Sequence, residues 1–278
     1  MTVSPLLNQT VWRVIDQSSM EGNFDGRQSF AIDDALCQSA GLGESPATAR
    51  LWVHQNTVML GIQDTRLPHL QDALHVLENA GYRYVARNSG GLAVVLDEGV
   101  LNLSLIFSEK ERPISIDEAY QTMADFIERT LAPLGIDFEV KEITRSYCPG
   151  RYDLSSRGRK FAGISQRRVR RGVAVQIYLC VSGSGPARAA MIRDFYRHGL
   201  QGETTRFSYP DIDPNVMASL EEIGGRVLTV PMMANAIFQT LRSLGPLLTS
   251  GLSTSESETF GYYYERMIRR NEKAFRFD

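Results

Sequence analysis

The feature that most constrains the fold is the run at residues 173–181, V-A-V-Q-I-Y-L-C-V, a β-branched and aromatic stretch that reads as a strand. Before it, residues 160–166 alternate in part, with Phe161 and Ile164 broken by Ala162 and Gly163. The basic segment 167–172 makes the loop between the two, so the pair reads as a hairpin. Lys160 then falls near the start of the first strand, with Gly158 in the turn before it. A glycine inside a strand, here Gly163, points to close approach of the backbone to a ligand or another chain.

The remaining strands are expected in similar pairs. Residues 50–55, 58–61 and 82–86 read as strands, and 92–96 with 100–107 as a hairpin turned by Asp97-Glu98-Gly99. Residues 137–143 read as a strand leading into Cys148. Helices are expected at 29–40, 67–79, 115–134, 186–197, 215–223, 231–244 and 262–273 from apolar residues at helical spacing. Ser115 and Glu118 form a capping-box pattern, Gly41 and Gly135 follow as stops, and Pro186 starts a helix. Strands in hairpins with helices between the groups predict an α+β (mixed α/β) domain, a largely antiparallel mixed sheet flanked by helices. The chain reads as a single domain over 1–278. Its core spans about 44–250, with an N-terminal arm and helix at 1–43 and a C-terminal helix at 251–278.

A net charge of −2 gives no whole-molecule attraction to nucleic acid. Cys37, Cys148 and Cys180 form no paired metal or redox motif, and an odd cysteine count without a signal-peptide pattern fits a reducing cytoplasm. His54, His69, His75 and His198 are scattered without metal spacing, and no apolar run is long enough to span a membrane.

Cys148 stands out, followed at once by Pro149 and Gly150, which puts a thiol on a turn. After it come Arg151, Arg157, Arg159, Lys160, Arg167, Arg168, Arg170 and Arg171, with only Asp153 opposing them. A cation beside a thiol favours the thiolate, the form that attacks. Local chemistry leaves three readings open: a nucleophile, an inert loop thiol beside a solvated basic hairpin, or a face that binds anions or nucleic acid. The segment Arg87-Asn88-Ser89-Gly90-Gly91 is a tight polar turn, too short for a nucleotide fingerprint, and reads as a turn or a ligand-cradling loop. Cys37 reads as core, and Asp33 and Asp34 as charges tolerated near a helix start.

Four segments together resemble the biotin/lipoate protein ligase superfamily: S-F-A-I-D-D-A-L at 29–36, R-N-S-G-G-L-A-V-V-L-D-E-G-V-L-N-L-S-L at 87–105, G-R-K-F-A-G-I-S-Q at 158–166 and R-G-V-A-V-Q-I-Y-L at 171–179. They follow the family's order and cover about 29–200. The resemblance implies a biotin/lipoate ligase-like catalytic domain. S-Y-C-P-G-R-Y-D-L-S resembles the cysteine-dependent amidotransferase branch, which moves octanoyl from the lysine of the glycine cleavage H protein to lysines on the lipoyl domains of 2-oxoacid dehydrogenases. Carried over, Cys148 is the acyl-thioester nucleophile and Lys160 lowers its pKa and hands a proton to the leaving amine. Arg87, Ser89, Gly90 and Gly91 form part of the acyl pocket wall, and Gly163 lets backbone approach the chain. No metal, nucleotide or other cofactor is implied. The hairpin arginines would steer acidic carriers, or form a solvated tip.

The pattern departs from the family at Leu96, where many relatives carry histidine, at Ile177, where they often carry one, and at Asn88, which replaces a second arginine. These losses weigh against nucleotide handling. Three alternatives remain: transfer from acyl carrier protein to H protein, an ATP-dependent lipoate ligase, and a non-catalytic carrier-binding module.

Overall fold

The computed structural model describes residues 4–19 and 25–276. Within these residues the chain forms, in order, β1 (Trp12–Gln17), α1 (Gly26–Leu42), β2 (Thr48–Trp52), β3 (Thr57–Leu60), α2 (Leu70–Asn79), β4 (Arg83–Ala86), β5 (Val94–Leu96) and β6 (Val100–Ser108). Then come α3 (Ile116–Leu131), β7 (Glu139–Val140), β8 (Leu154–Ser156), β9 (Arg159–Val169), β10 (Gly172–Cys180), α4 (Gly185–Leu200), α5 (Leu220–Gly224), α6 (Val230–Leu244), β11 (Leu247–Thr249) and α7 (Thr254–Ala274).

Among the described residues an eight-stranded sheet runs β11-β1-β2-β6-β10-β9-β8-β7, and a three-stranded sheet runs β4-β3-β5. The large sheet is antiparallel except where β1 lies parallel to β2 and β11. The mixed, largely antiparallel architecture is as expected. No helix among the described residues is long and apolar enough to cross a membrane.

Both faces of the central strands are buried. Leu101, Leu103, Leu105 and Phe107 of β6 join Val173, Val175, Ile177 and Leu179 of β10 in the core under α3 and α6. Their neighbours Ile106 and Ala174 face Ile32, Leu36 and Cys37 of α1. This explains why β10 is buried along its whole length and does not alternate. A second core lies between the small sheet, α2 and α4, around Leu60, Leu74, Val95, Phe195 and Tyr196. Helix α1 starts with an Asp25–Gln28 capping box and ends on Gly43 in the left-handed region.

Several sequence expectations change. Residues 92–96 and 100–107 do not pair with each other: β5 lies against β3 in the small sheet, while β6 sits between β2 and β10 in the large one. The Asp97–Gly99 corner is a crossing between sheets. Asp97 accepts Gly99 N at 3.0 Å and receives the Arg188 guanidinium at 2.6 and 2.7 Å, both side chains being buried. The basic segment 167–172 is not a loop. β9 runs to Val169, and the turn is the dipeptide Arg170-Arg171, with φ of 49° and 67°. Arg167 pairs with Asp34 at 2.7 Å and Arg168 with Glu109 at 2.7 Å, so much of the hairpin's charge is neutralised. Glu118 turns to Arg112, and Ser115 alone caps α3 through Glu118 N.

Only Glu139–Val140 of the expected strand at 137–143 is paired. The helix expected at 215–223 is a 3-10 turn, Pro214–Val216, followed by α5. The final helix begins eight residues early, at Thr254 instead of residue 262, on a Ser253–Glu256 capping box. The N-terminal arm, where a short strand or helix is expected near 12–15, supplies the strand β1, and this lies inside the sheet; residues 1–3 and 20–24 of the arm, and 277–278 at the other end, lie outside the described residues. Glu256 of α7 also receives the Arg13 guanidinium of β1 at 2.6 and 2.7 Å in a buried pair.

Candidate active site

The turn at 87–93 and the segment 145–150 meet at the sulfur of Cys148. Leu92 N donates to Sγ at 3.2 Å and Arg87 Nη2 points to it at 3.4 Å. The same Nη2 donates to Leu92 O at 2.6 Å, while Arg87 Nε is buried without a partner. No carboxylate among the described residues pairs with Arg87, so its charge faces the thiol, which is partly exposed. Cys37 and Cys180 are buried, and burial pushes both thiols up.

Gly91 is required by this arrangement. It sits at φ 102°, and a Cβ there would lie 2.3 Å from Arg87 Nη2 and 2.8 Å from Sγ. Gly90 faces open space at the cavity rim. Asn88 donates to Asp34 at 2.9 Å, anchoring the turn on α1. Burial raises the Asp34 pKa against the pull of Arg167. Asp34 thus ties the turn and β9 to one helix, a role that a charge near a helix start does not reveal in sequence.

Cys148 has φ 47°, a strained conformation for a residue with a side chain. Lys160 holds it there. Its fully buried ammonium reaches Cys148 O at 2.7 Å, Tyr147 O at 3.0 Å, Ser146 Oγ at 3.2 Å and Asp153 Oδ1 at 2.9 Å. Burial raises the Asp153 pKa, and Lys160 pulls it back down. The sequence reading expected Lys160 at the sulfur; its contacts are with the carbonyl of Cys148, and the cation in reach of Sγ is Arg87. Asp153 was visible as the lone acid among the arginines, although its partner was not.

A cavity of about 250 Å³ opens beside Sγ. Phe30, Trp52, Met59, Val94, Leu96 and Ile177 give it an apolar wall, and Ser89, Gly163 and Tyr178 also line it. Leu96 and Ile177, the two positions where the resemblance expected histidine, both lie on that wall. Gly163 stands opposite Tyr178 in the β9–β10 register, and a Cβ on it would meet the Tyr178 ring at 2.7 Å. The space that Gly163 leaves is therefore taken by the Tyr178 ring. Beneath the cavity, buried Asp33 binds Arg50 at 2.8 Å, Ser104 Oγ at 2.7 Å and Gln176 Nε2 at 2.6 Å. Sequence reasoning missed Leu92 and Tyr178. The first acts through its backbone amide, and the second depends on a neighbour across the sheet.

Residues 25–242 match the family model of the lipoyl protein ligase A/B catalytic domain. A protein of Geobacillus kaustophilus named octanoyl-[GcvH]:protein N-octanoyltransferase is 55% identical, over 98% of this chain and 96% of its own length. A protein of the same name from Bacillus velezensis is 55% identical, over 97% of this chain and 95% of its own. Among solved structures, lipoate-protein ligase A bound with ATP superposes with a TM-score of 0.69 at 16% identity, covering 93% of this chain and 95% of that one, a likeness of fold. On this evidence the chain belongs to the lipoyl protein ligase A/B catalytic domain family, among its protein N-octanoyltransferases.

Proposed function

We propose that the chain moves octanoyl from a lysine of the glycine cleavage H protein to lysines on the lipoyl domains of 2-oxoacid dehydrogenases, through a thioester on Cys148. The observation that carries this reading is the pair of donors on Sγ. A backbone N–H and a guanidinium that meets no carboxylate among the described residues form a site for an anionic sulfur. The names of the relatives point to octanoylated GcvH as donor. The apolar wall suits an eight-carbon chain, and apolar Leu96 and Ile177 suit acyl transfer better than nucleotide binding.

In the first step Sγ attacks the amide carbonyl carbon. The C–S bond forms, the C–N bond to the donor lysine breaks, and the thiol's proton leaves on the departing amine. A lysine amine of the lipoyl domain then attacks the thioester. The new C–N bond forms, the C–S bond breaks, and the sulfur recovers a proton. Arg87 and Leu92 N stabilise the thiolate as nucleophile and as leaving group. Lys160 acts as a positioning residue: its donors are engaged by Ser146, Tyr147, Cys148 and Asp153, and it holds the strained carbonyl of Cys148.

Mixing the protein with octanoylated H protein and weighing it intact tests this. One octanoyl group on Cys148, released by hydroxylamine and passed to an added lipoyl domain, is expected. An adduct that survives Cys148→Ser, or one that forms only from octanoyl acyl carrier protein, overturns the reading.

A further inference from the structure

The hydroxyl of Tyr178 is buried and has no hydrogen-bond partner among the described residues. A buried polar group without a partner is uncommon in a folded protein and calls for an explanation. This one belongs to a residue that lines the same cavity as Cys148. Its ring is held firmly. The ring lies across Gly163, stacks on Tyr147 at 6.0 Å between centroids, and has the Lys160 ammonium 5.9 Å from its centroid. The hydroxyl is thus a fixed group that the folded chain leaves unused.

Burial pushes the phenol well above its usual range, so it stays an O–H donor. An octanoyl amide offers that donor one strong acceptor, its carbonyl oxygen; the rest of the acyl group is hydrocarbon. The same holds for the thioester. Leu92 N and Arg87 Nη2 are already directed at the sulfur, so the carbonyl oxygen needs another donor. That oxygen gains negative charge as Sγ adds to the carbonyl carbon, and a fixed donor there acts most strongly at the transition state.

Building on the acyl-transfer reading above, we propose that the Tyr178 hydroxyl is a catalytic donor to the carbonyl oxygen of the acyl group at Cys148. The missing partner is then the substrate. A donor that engages fully only in the transition state lowers kcat and leaves KM nearly unchanged when removed.

Tyr178→Phe tests this, because it removes one oxygen and keeps the ring that fills the space over Gly163. Three measurements on the whole chain suffice: single-turnover thioester formation with octanoylated H protein, iodoacetamide alkylation of Cys148, and the midpoint of urea unfolding. We expect thioester formation to fall on the order of 10²-fold, as for loss of one oxyanion donor. Alkylation, which develops no oxyanion, stays at the wild-type rate. The unfolding midpoint stays at or above the wild-type value, since no native hydrogen bond is lost. Thioester formation at the wild-type rate overturns the proposal, and so does a parallel fall in alkylation and stability, which marks a structural role. If the wild-type protein itself forms no thioester, the acyl-transfer reading fails instead.

Discussion

Lys160→Met removes the ammonium from a closed polar cluster and leaves a shape that methionine fills. The side chains of Lys160 and Asp153 are 0% and 2% exposed and lie 2.9 Å apart. After the change, Asp153 keeps only the amides of Ile143 at 3.2 Å and Gly150 at 3.1 Å, and the carbonyls of Tyr147 and Cys148 lose their donor. Breaking a buried pair from one side costs about 3–5 kcal/mol, because the remaining charge has no compensation. Domain stabilities are roughly 5–15 kcal/mol, so the variant is expected to fold but to unfold at much lower urea. The pH dependence is the sharper part. Burial already raises the Asp153 pKa, and the ammonium opposes that rise. Without the ammonium it rises further, so protonation relieves the orphaned charge as pH falls. The stability lost should therefore be largest near pH 8 and shrink toward pH 5. Lys160→Met combined with Asp153→Asn should regain part of it. Urea unfolding of both variants at pH 5 and pH 8 measures this. A loss below about 1 kcal/mol, or one equal at both pH values, would falsify the claim that Lys160 is there to neutralise Asp153.

Two other outcomes are expected. Gly91→Ala places a methyl group against Arg87 and Sγ at φ 102°, so thioester formation should fall on the order of 10²-fold through displacement of the thiol; a wild-type rate in a single-turnover assay would show that the turn has room to give. Asp64, buried and bonded to Tyr196 at 2.8 Å and Gly61 N at 2.7 Å, is pushed from 3.8 up to about 6 by burial. A raised acid favours the folded state at low pH and loses that advantage as pH climbs from 3.8 through 6, here by about 3 kcal/mol in all. Asp64→Asn abolishes this titration, so its stability relative to wild type should improve by about 2 kcal/mol between pH 4.5 and 7; parallel curves for the two proteins would refute the assignment.

The parts of the fold legible in the sequence were those set by local pattern. The apolar run of β10 and the periodic face of α3 needed no knowledge of their partners. Most of the misreadings were non-local. Asp97-Glu98-Gly99 has the composition of a hairpin turn, but Arg188, ninety-one residues away, binds Asp97 and directs β6 into the other sheet. Arg167 and Arg168 look like loop residues until Asp34 and Glu109 accept them from across the sheet. β11 is too short to signal itself without β1. At the site, the cysteine turn, the glycine turn and the lysine strand were legible as segments. Which atom of Cys148 faces Lys160 was not, because it depends on a backbone angle of 47° that no residue pattern encodes. The Ser253–Glu256 capping box was present in the sequence and went unread.

The parallel placement of β1 between β2 and β11 has a consequence for the order in which the protein can assemble on the ribosome. β1 is made more than two hundred residues before the strand that covers its outer side. Until Leu247–Thr249 emerges, β1 presents an open edge, the kind of surface that recruits foreign strands. Until Glu256 emerges, Arg13 has no carboxylate to receive it. The segments that meet at Cys148 are all translated before either event. Even then the backbone of Ala86 and Arg87 lacks Asn271 and Arg270 of α7, which bind it in the finished fold, and chains halted near residue 245 should be the ones that aggregate or engage chaperones.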